Sequence, residues 1–113
     1  ITPLAHPGAN APLTVPAFDV IAPSHPGYTF SSNFATHESK ISGKVRGNYS
    51  GPDGDILNKD VARIMDKLMI KLGFDEKSGG YAVQAGDWGS AVARLMAVQF
   101  PKSCRAVHLN FCE

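Results

Sequence analysis

The residues with the clearest chemical potential are Ala85-Gly86-Asp87-Trp88-Gly89-Ser90, where one reactive side chain is flanked on both sides by small ones. A sharp strand-to-helix turn requires such neighbours, because the chain reverses in a strained conformation and any bulk would meet adjacent backbone. This is the spacing of a nucleophile elbow. A serine at the centre would need a histidine to take its proton, whereas the carboxylate of Asp87 belongs to a class already anionic at neutral pH. It can displace a leaving group at an sp³ carbon directly, and the resulting alkyl ester is then hydrolysed by an activated water. The plainer alternative is that Asp87 only caps the helix that follows it. Trp88 likewise reads either as a core aromatic or as the residue whose backbone amide supplies an oxyanion donor, since an elbow takes one donor from the residue after the nucleophile.

No histidine stands out as a partner base. His108 falls on an apolar segment and is expected to be a hydrogen-bonded core residue. His25 lies in the loop His25-Pro26-Gly27-Tyr28, and His37 adjoins an irregular stretch. Cys104 and Cys112, if the chain between them is extended, stand roughly 26 Å apart, well beyond the Cα separation a disulfide allows. Two free thiols imply a reducing compartment and a cytoplasmic location. They are also too few for a four-ligand zinc site. Asn48-Tyr49-Ser50 matches a glycosylation sequon whose use free thiols argue against, and Asp53-Gly54-Asp55 is too short for a calcium loop.

The elements that must position Asp87 follow from periodicity. Val61, Ile64, Met65, Leu68, Met69 and Leu72 recur at helical spacing, with Asn58 or Asp60 as cap and Gly73 as the left-handed stop. Tyr81-Ala82-Val83-Gln84-Ala85 reads as a strand, a second helix runs from Gly89 through Val92, Leu95 and Met96 until Pro101, and Ala106 to Phe111 reads as another strand. Phe18, Val20 and Ile21 suggest a further buried strand ending at Pro23. Strand and helix in alternation predict an α/β fold with a parallel sheet, and the unpaired edges predict poor solubility in isolation. The first seventeen residues, rich in proline, read as an irregular N-terminal loop, and 39–58 as an irregular insertion, glycine-rich and without apolar anchors.

Length and composition bound the rest. At 113 residues the chain holds one domain at most. A 43% apolar fraction is ordinary for a globular protein, and a net charge of +1 gives no electrostatic reason to expect nucleic acid or an anionic membrane. The sequence carries no apolar run long enough to span a bilayer, so no membrane segment is expected in this chain.

Taken together, Gly86-Asp87-Trp88-Gly89-Ser90, the later Ala106-Val107-His108-Leu109-Asn110 and the upstream Ala22-Pro23-Ser24-His25-Pro26-Gly27-Tyr28-Thr29-Phe30-Ser31-Ser32 resemble the α/β-hydrolase epoxide hydrolases of the fungal and microsomal type. The resemblance covers most of the chain outside residues 39–58. It implies a partial α/β-hydrolase core spanning 1–113: a short parallel sheet with flanking helices, the cap domain absent. It implies that Asp87 opens an epoxide by attack on carbon, that the Trp88 amide holds the oxyanion during ester hydrolysis, and that His25, Pro26 and Tyr28 lie at the substrate pocket. It implies a small-molecule epoxide substrate and no cofactor. Family members also carry a His-Gly-x-Pro oxyanion motif before the strand matching Phe18 to Ala22, and a helical cap, a catalytic acid and a catalytic histidine after the strand matching Ala106 to Phe111. His6-Pro7-Gly8 has the wrong order for that motif, so the resemblance implies a fragment that holds the nucleophile without its base and is inactive alone. The Asp-Trp-Gly element is shared with haloalkane dehalogenases, which keeps that activity, or a catalytically dead fragment, as alternatives.

Overall fold

Buried apolar spacing along the second half of the chain produces two helices and two strands that share one core. The computed structural model describes residues 2–12, 14–31 and 58–111. Its elements are α1 (Thr2–Ala5), α2 (Asn58–Lys71), β1 (Tyr81–Ala85), α3 (Trp88–Gln99) and β2 (Cys104–Leu109). The insertion expected at 39–58 lies outside the described residues except for Asn58, which opens α2. His37, the sequon at Asn48, the Asp53-Gly54-Asp55 stretch and Cys112 also lie outside them.

Helix α2 buries Val61, Ala62, Met65 and Asp66 on one face. It ends as its glycine predicts. Gly73 takes φ +96°, its amide donates to Ile70 O at 3.0 Å, and the Phe74 amide reaches back to Met69 O at 3.0 Å. That pair of bonds is a Schellman cap, and Phe74 and Met69 are both packed on the core. Leu72 belongs to this exposed cap and not to the buried face. The connection to β1 is stapled at Asp75, whose carboxylate accepts the Ser78 amide at 2.9 Å and whose carbonyl accepts the Gly80 amide at 2.7 Å. The bond from Ser78 holds the Asp75 carboxyl below the usual carboxylate range.

Strands β1 and β2 pair in parallel, with Ala82 opposite Ala106, Val83 opposite Val107 and Gln84 opposite His108. Parallel neighbours need a crossover, and α3 supplies it, packing on both strands and on α2. The ladder shifts register between Tyr81 and Ala82, so Arg105 bulges out of β2. Val61, Ala62, Met65, Tyr81, Val92, Met96 and Cys104 form the buried cluster, which places both helices against the same side of the sheet.

Four expectations change. Strand β2 begins at Cys104, two residues earlier than the apolar pattern suggests, and its pairing continues past Leu109 through the Asn110 amide, which donates to Ala85 O at 3.2 Å. Residues 18–22 form no strand: a strand needs a neighbour's ladder, and the Phe18 amide instead donates to Leu4 O of α1 at 3.0 Å, leaving Phe18 and Ile21 exposed. The N-terminal stretch contains the one-turn helix α1, which Pro3 tolerates because the first helical turn needs no amide donor there. His108 is exposed, because its alternation puts it with Gln84 on the face of the sheet away from the core.

Candidate active site

The site is built where β1 stops and α3 starts. Asp87 occupies φ +50°, ψ −135°, and among the described residues only Thr29 is another non-glycine with positive φ. That backbone region costs about 1–3 kcal/mol for a residue with a Cβ and persists only where its surroundings impose it. Asp87 sits in the N-cap position of α3 but its side chain makes no capping hydrogen bond. The helix-cap alternative therefore fails: a capping aspartate would turn its carboxylate back onto the first-turn amides. Asp87 is exposed, and so is Trp88, at 78%, which removes the core-aromatic reading of that indole. The Trp88 amide belongs to the first helical position, one of the donors a helix leaves without an internal acceptor.

The small residues around the turn have separate reasons. Gly86 does not carry the positive φ. A Cβ on Gly86 would land on Asn110 Oδ1 and within 2.9 Å of Asn110 Cγ, so a side chain at 86 would have to push the exposed Asn110 amide aside. At Gly89 a Cβ would meet only Ala85 Cβ, at an ordinary 3.6 Å, so this position accepts a methyl group. Ser90 is buried, donates its hydroxyl to Phe111 O at 2.6 Å, and donates its amide to Asp87 O at 2.9 Å. The structure thus brings Ala85, Gly86, Asp87, Trp88, Gly89 and Ser90 together and adds Asn110 and Phe111. In the sequence Asn110 shows only as the last residue of the resembling stretch from Ala106, and Phe111 as the end of an apolar strand.

His25, Pro26 and Tyr28 form a second cluster, held by its own turn. The Tyr28 amide donates to His25 O at 2.9 Å across Pro26 and Gly27, and Gly27 has φ +81°, the Pro-Gly order a type II turn requires. Thr29 Oγ donates to Ser24 Oγ at 2.5 Å and Ser31 Oγ to Ser24 O at 2.7 Å. The His25 and Tyr28 rings meet edge to face with centroids 6.5 Å apart. Pro26 is buried under this turn, and Tyr28 and Phe30 project outward.

A polar network missed by the apolar pattern supports the far end of β1. Asp66, 4% exposed, accepts the Tyr81 hydroxyl at 2.7 Å and the Ser103 hydroxyl at 2.6 Å on one carboxylate oxygen. Burial, followed by the bond to Asp66, pushes the Tyr81 hydroxyl far above its usual range, and burial beside Asp66 pushes the Cys104 thiol up as well. The available signal was an acid one helical turn from Ala62, on the face that is otherwise apolar. Among the described residues no group of three or more His, Cys, Asp or Glu side chains gathers to hold a metal ion. No helix among them is long and apolar enough to cross a membrane.

A parallel β1–α3–β2 unit with an acid at the strand-to-helix turn is compatible with an α/β hydrolase, and the sequence matches the alpha/beta hydrolase fold family over residues 6–110; the chain belongs to that family. Within it, the chain is similar to epoxide hydrolases. It is 38% identical over 93 residues to rabbit (Oryctolagus cuniculus) epoxide hydrolase 1, a match covering 82% of this chain and 16% of the relative. It is 35% identical over 92 residues to the Bombyx mori juvenile hormone epoxide hydrolase, covering 81% of this chain and 15% of the relative. The structure of Aspergillus niger epoxide hydrolase superposes with a TM-score of 0.58 at 42% identity, covering 80% of this chain and 18% of that one. The chain thus spans a fifth or less of the length of these relatives.

Proposed function

We propose that this chain is the nucleophile-bearing centre of an epoxide hydrolase. An oxygen of the Asp87 carboxylate attacks an epoxide carbon. The new C–O ester bond forms as the ring C–O bond breaks, and the departing alkoxide takes a proton to become a hydroxyl. Water then adds to the ester carbonyl, the Trp88 amide donating to the oxyanion, and collapse releases a diol and regenerates the carboxylate. This reading assigns neither the acid that protonates the alkoxide nor the base that activates the water to a described residue, and the isolated chain is expected to turn over no epoxide. A small neutral epoxide needs no cofactor for this chemistry.

The observation that carries the reading is the backbone of Asp87. A positive φ at a non-glycine, between a strand and a helix it does not cap, has no stabilising use in view and suits an outward-facing nucleophile. The test is a single turnover of a full-length epoxide hydrolase carrying this segment, in heavy-oxygen water. Label recovered in the Asp87 carboxylate supports the proposal. Label only in the diol, with an unlabelled Asp87, refutes it by showing that water attacks the epoxide directly.

The exposed Trp88 indole beside Asp87 favours one other reading, a haloalkane dehalogenase in which that N–H receives the departing halide. Halide release from a chloroalkane, with no epoxide turnover, would select it. A segment unable to form the ester in any full-length setting would be a catalytically dead one.

A further inference from the structure

We propose that Asn110 and Ser90 are positioning residues that hold Asp87 in its strained conformation from behind, an inference that rests on the reading of Asp87 as nucleophile. The turn is fixed at two points, on Asn110 and Phe111, the two residues that follow β2. On the strand side, the Asn110 amide donates to Ala85 O at 3.2 Å and the Asn110 side chain covers the Cα of Gly86, so closely that no Cβ fits between them. On the helix side, the buried Ser90 hydroxyl donates to Phe111 O at 2.6 Å. Asp87, Trp88 and Gly89 span the interval between these anchors, and the Ser90 amide closes it from inside on Asp87 O at 2.9 Å. With both flanks tied to consecutive residues, a relaxation of Asp87 to negative φ would have to displace one of them.

The geometry also assigns a reason for glycine at 86 that differs from the usual one. Because Gly86 lies outside the positive-φ region, alanine there is opposed by the Asn110 side chain, whose exposed amide end would have to swing aside, and not by the backbone. Gly86 and Asn110 are therefore energetically coupled, and substitutions at the two are expected to be non-additive.

The experiment uses an isotopically labelled full-length epoxide hydrolase carrying this segment and reads the intraresidue amide-to-Hα cross-peak of Asp87, which is strong at positive φ, in S90A, S90T, N110A, G86A and G86A/N110A, with the exposed-helix variant V98A as control. S90A and N110A are expected to weaken that signal while the amide shifts of α2 stay in place, and S90T and V98A to keep it. G86A is expected to lose it, and G86A/N110A to match N110A alone. In a full-length enzyme carrying the segment, S90A and N110A should lower kcat by roughly tenfold to a hundredfold, the scale of a displaced reacting group, with KM changed by less than about twofold. Retention of the Asp87 signal in both S90A and N110A overturns the proposal, as does equal behaviour of S90A and S90T. If N110A fails to fold, the S90A and S90T pair decides. The conformational readout is independent of the isotope experiment, so a failure of Asp87 as nucleophile and a failure of the brace would be seen separately.

Discussion

Removing one oxygen from Tyr81 tests the support beneath the site. In Tyr81→Phe the ring that fills the core is retained, so no cavity opens, and the loss is confined to the 2.7 Å bond to Asp66. Asp66 is left buried with Ser103 as its remaining side-chain donor at 2.6 Å. A hydrogen bond to a carboxylate contributes about 1.5–3 kcal/mol, and its deletion leaves the acceptor under-satisfied, so a loss of about 2 kcal/mol is expected. For a chain of this size that corresponds to a drop in Tm of roughly 10 °C. Circular-dichroism melts at neutral pH measure it. The pH dependence has a definite sign. The folded state raises the Tyr81 hydroxyl above its ordinary value of 10.0, so this contribution is complete below pH 10 and is lost as pH rises further, because the unfolded chain ionises first. The gap between wild type and Tyr81→Phe should therefore narrow above pH 10. A variant melting within about 3 °C of wild type would mean that the cost of burying Asp66 cancels its bonds, refuting the reasoning.

Cys104, 5% exposed and raised above its ordinary 9.0 mainly by burial, should make the protein lose stability as pH rises above 9, and Cys104→Ala should flatten that slope in urea titrations across pH 8 to 10. Gly89→Ala should be neutral or stabilising by up to about 1 kcal/mol, since its Cβ has room and alanine is the better helix former; a drop in Tm would contradict the spacing seen there. Asp87→Gly should raise stability by about 1 kcal/mol by relieving the positive φ and, on the proposed mechanism, abolish ester formation, whereas Asp87→Asn should abolish it without that gain. Thermal melts with mass-spectrometric detection of the ester in a full-length enzyme separate the two, and an Asp87→Gly variant that melts below wild type would show that the turn is not strained.

What the sequence disclosed about this fold was local. The three-and-four spacing from Val61 to Met69, the glycine at 73 and the five residues from Tyr81 to Ala85 each encode their own conformation, and they fold as read. Asp87 was legible because its small neighbours mark a tight turn whatever lies around it. The readings that changed depended on partners distant in the chain. Whether Phe18 to Ile21 is a strand depends on a neighbouring ladder, and the burial of His108 depends on which face α3 covers. The polar bond that brings Asp66 inside depends on Tyr81 and Ser103, 15 and 37 residues further on. The surroundings of Gly86 were likewise hidden: the sequence shows a glycine beside an acid, but not the Asn110 side chain that lies against it.

These distant contacts explain how so small a sheet can hold a strained residue. The two-stranded parallel pair seen among the described residues is marginal alone, and a residue at φ +50° adds a cost of its own. Strand β1, however, is fixed at both ends. Tyr81 ties its start to α2 through Asp66 and, through the Tyr81 amide to Ser103 O at 2.8 Å, to the turn before β2, while the Asn110 amide ties its end at Ala85 O and Ser90 ties the start of α3 to Phe111 O, just past β2. Five residues between two anchors have little freedom to rotate or slide, so relaxing the elbow would mean disturbing a buried network or the end of the ladder. The strain at Asp87 is offset by order elsewhere in the unit. On this account a loss at the Asp66 end should loosen the elbow as well as lower stability, so Tyr81→Phe should weaken the positive-φ signal of Asp87 across the length of β1, and an elbow indifferent to that substitution would show that the two anchors act separately.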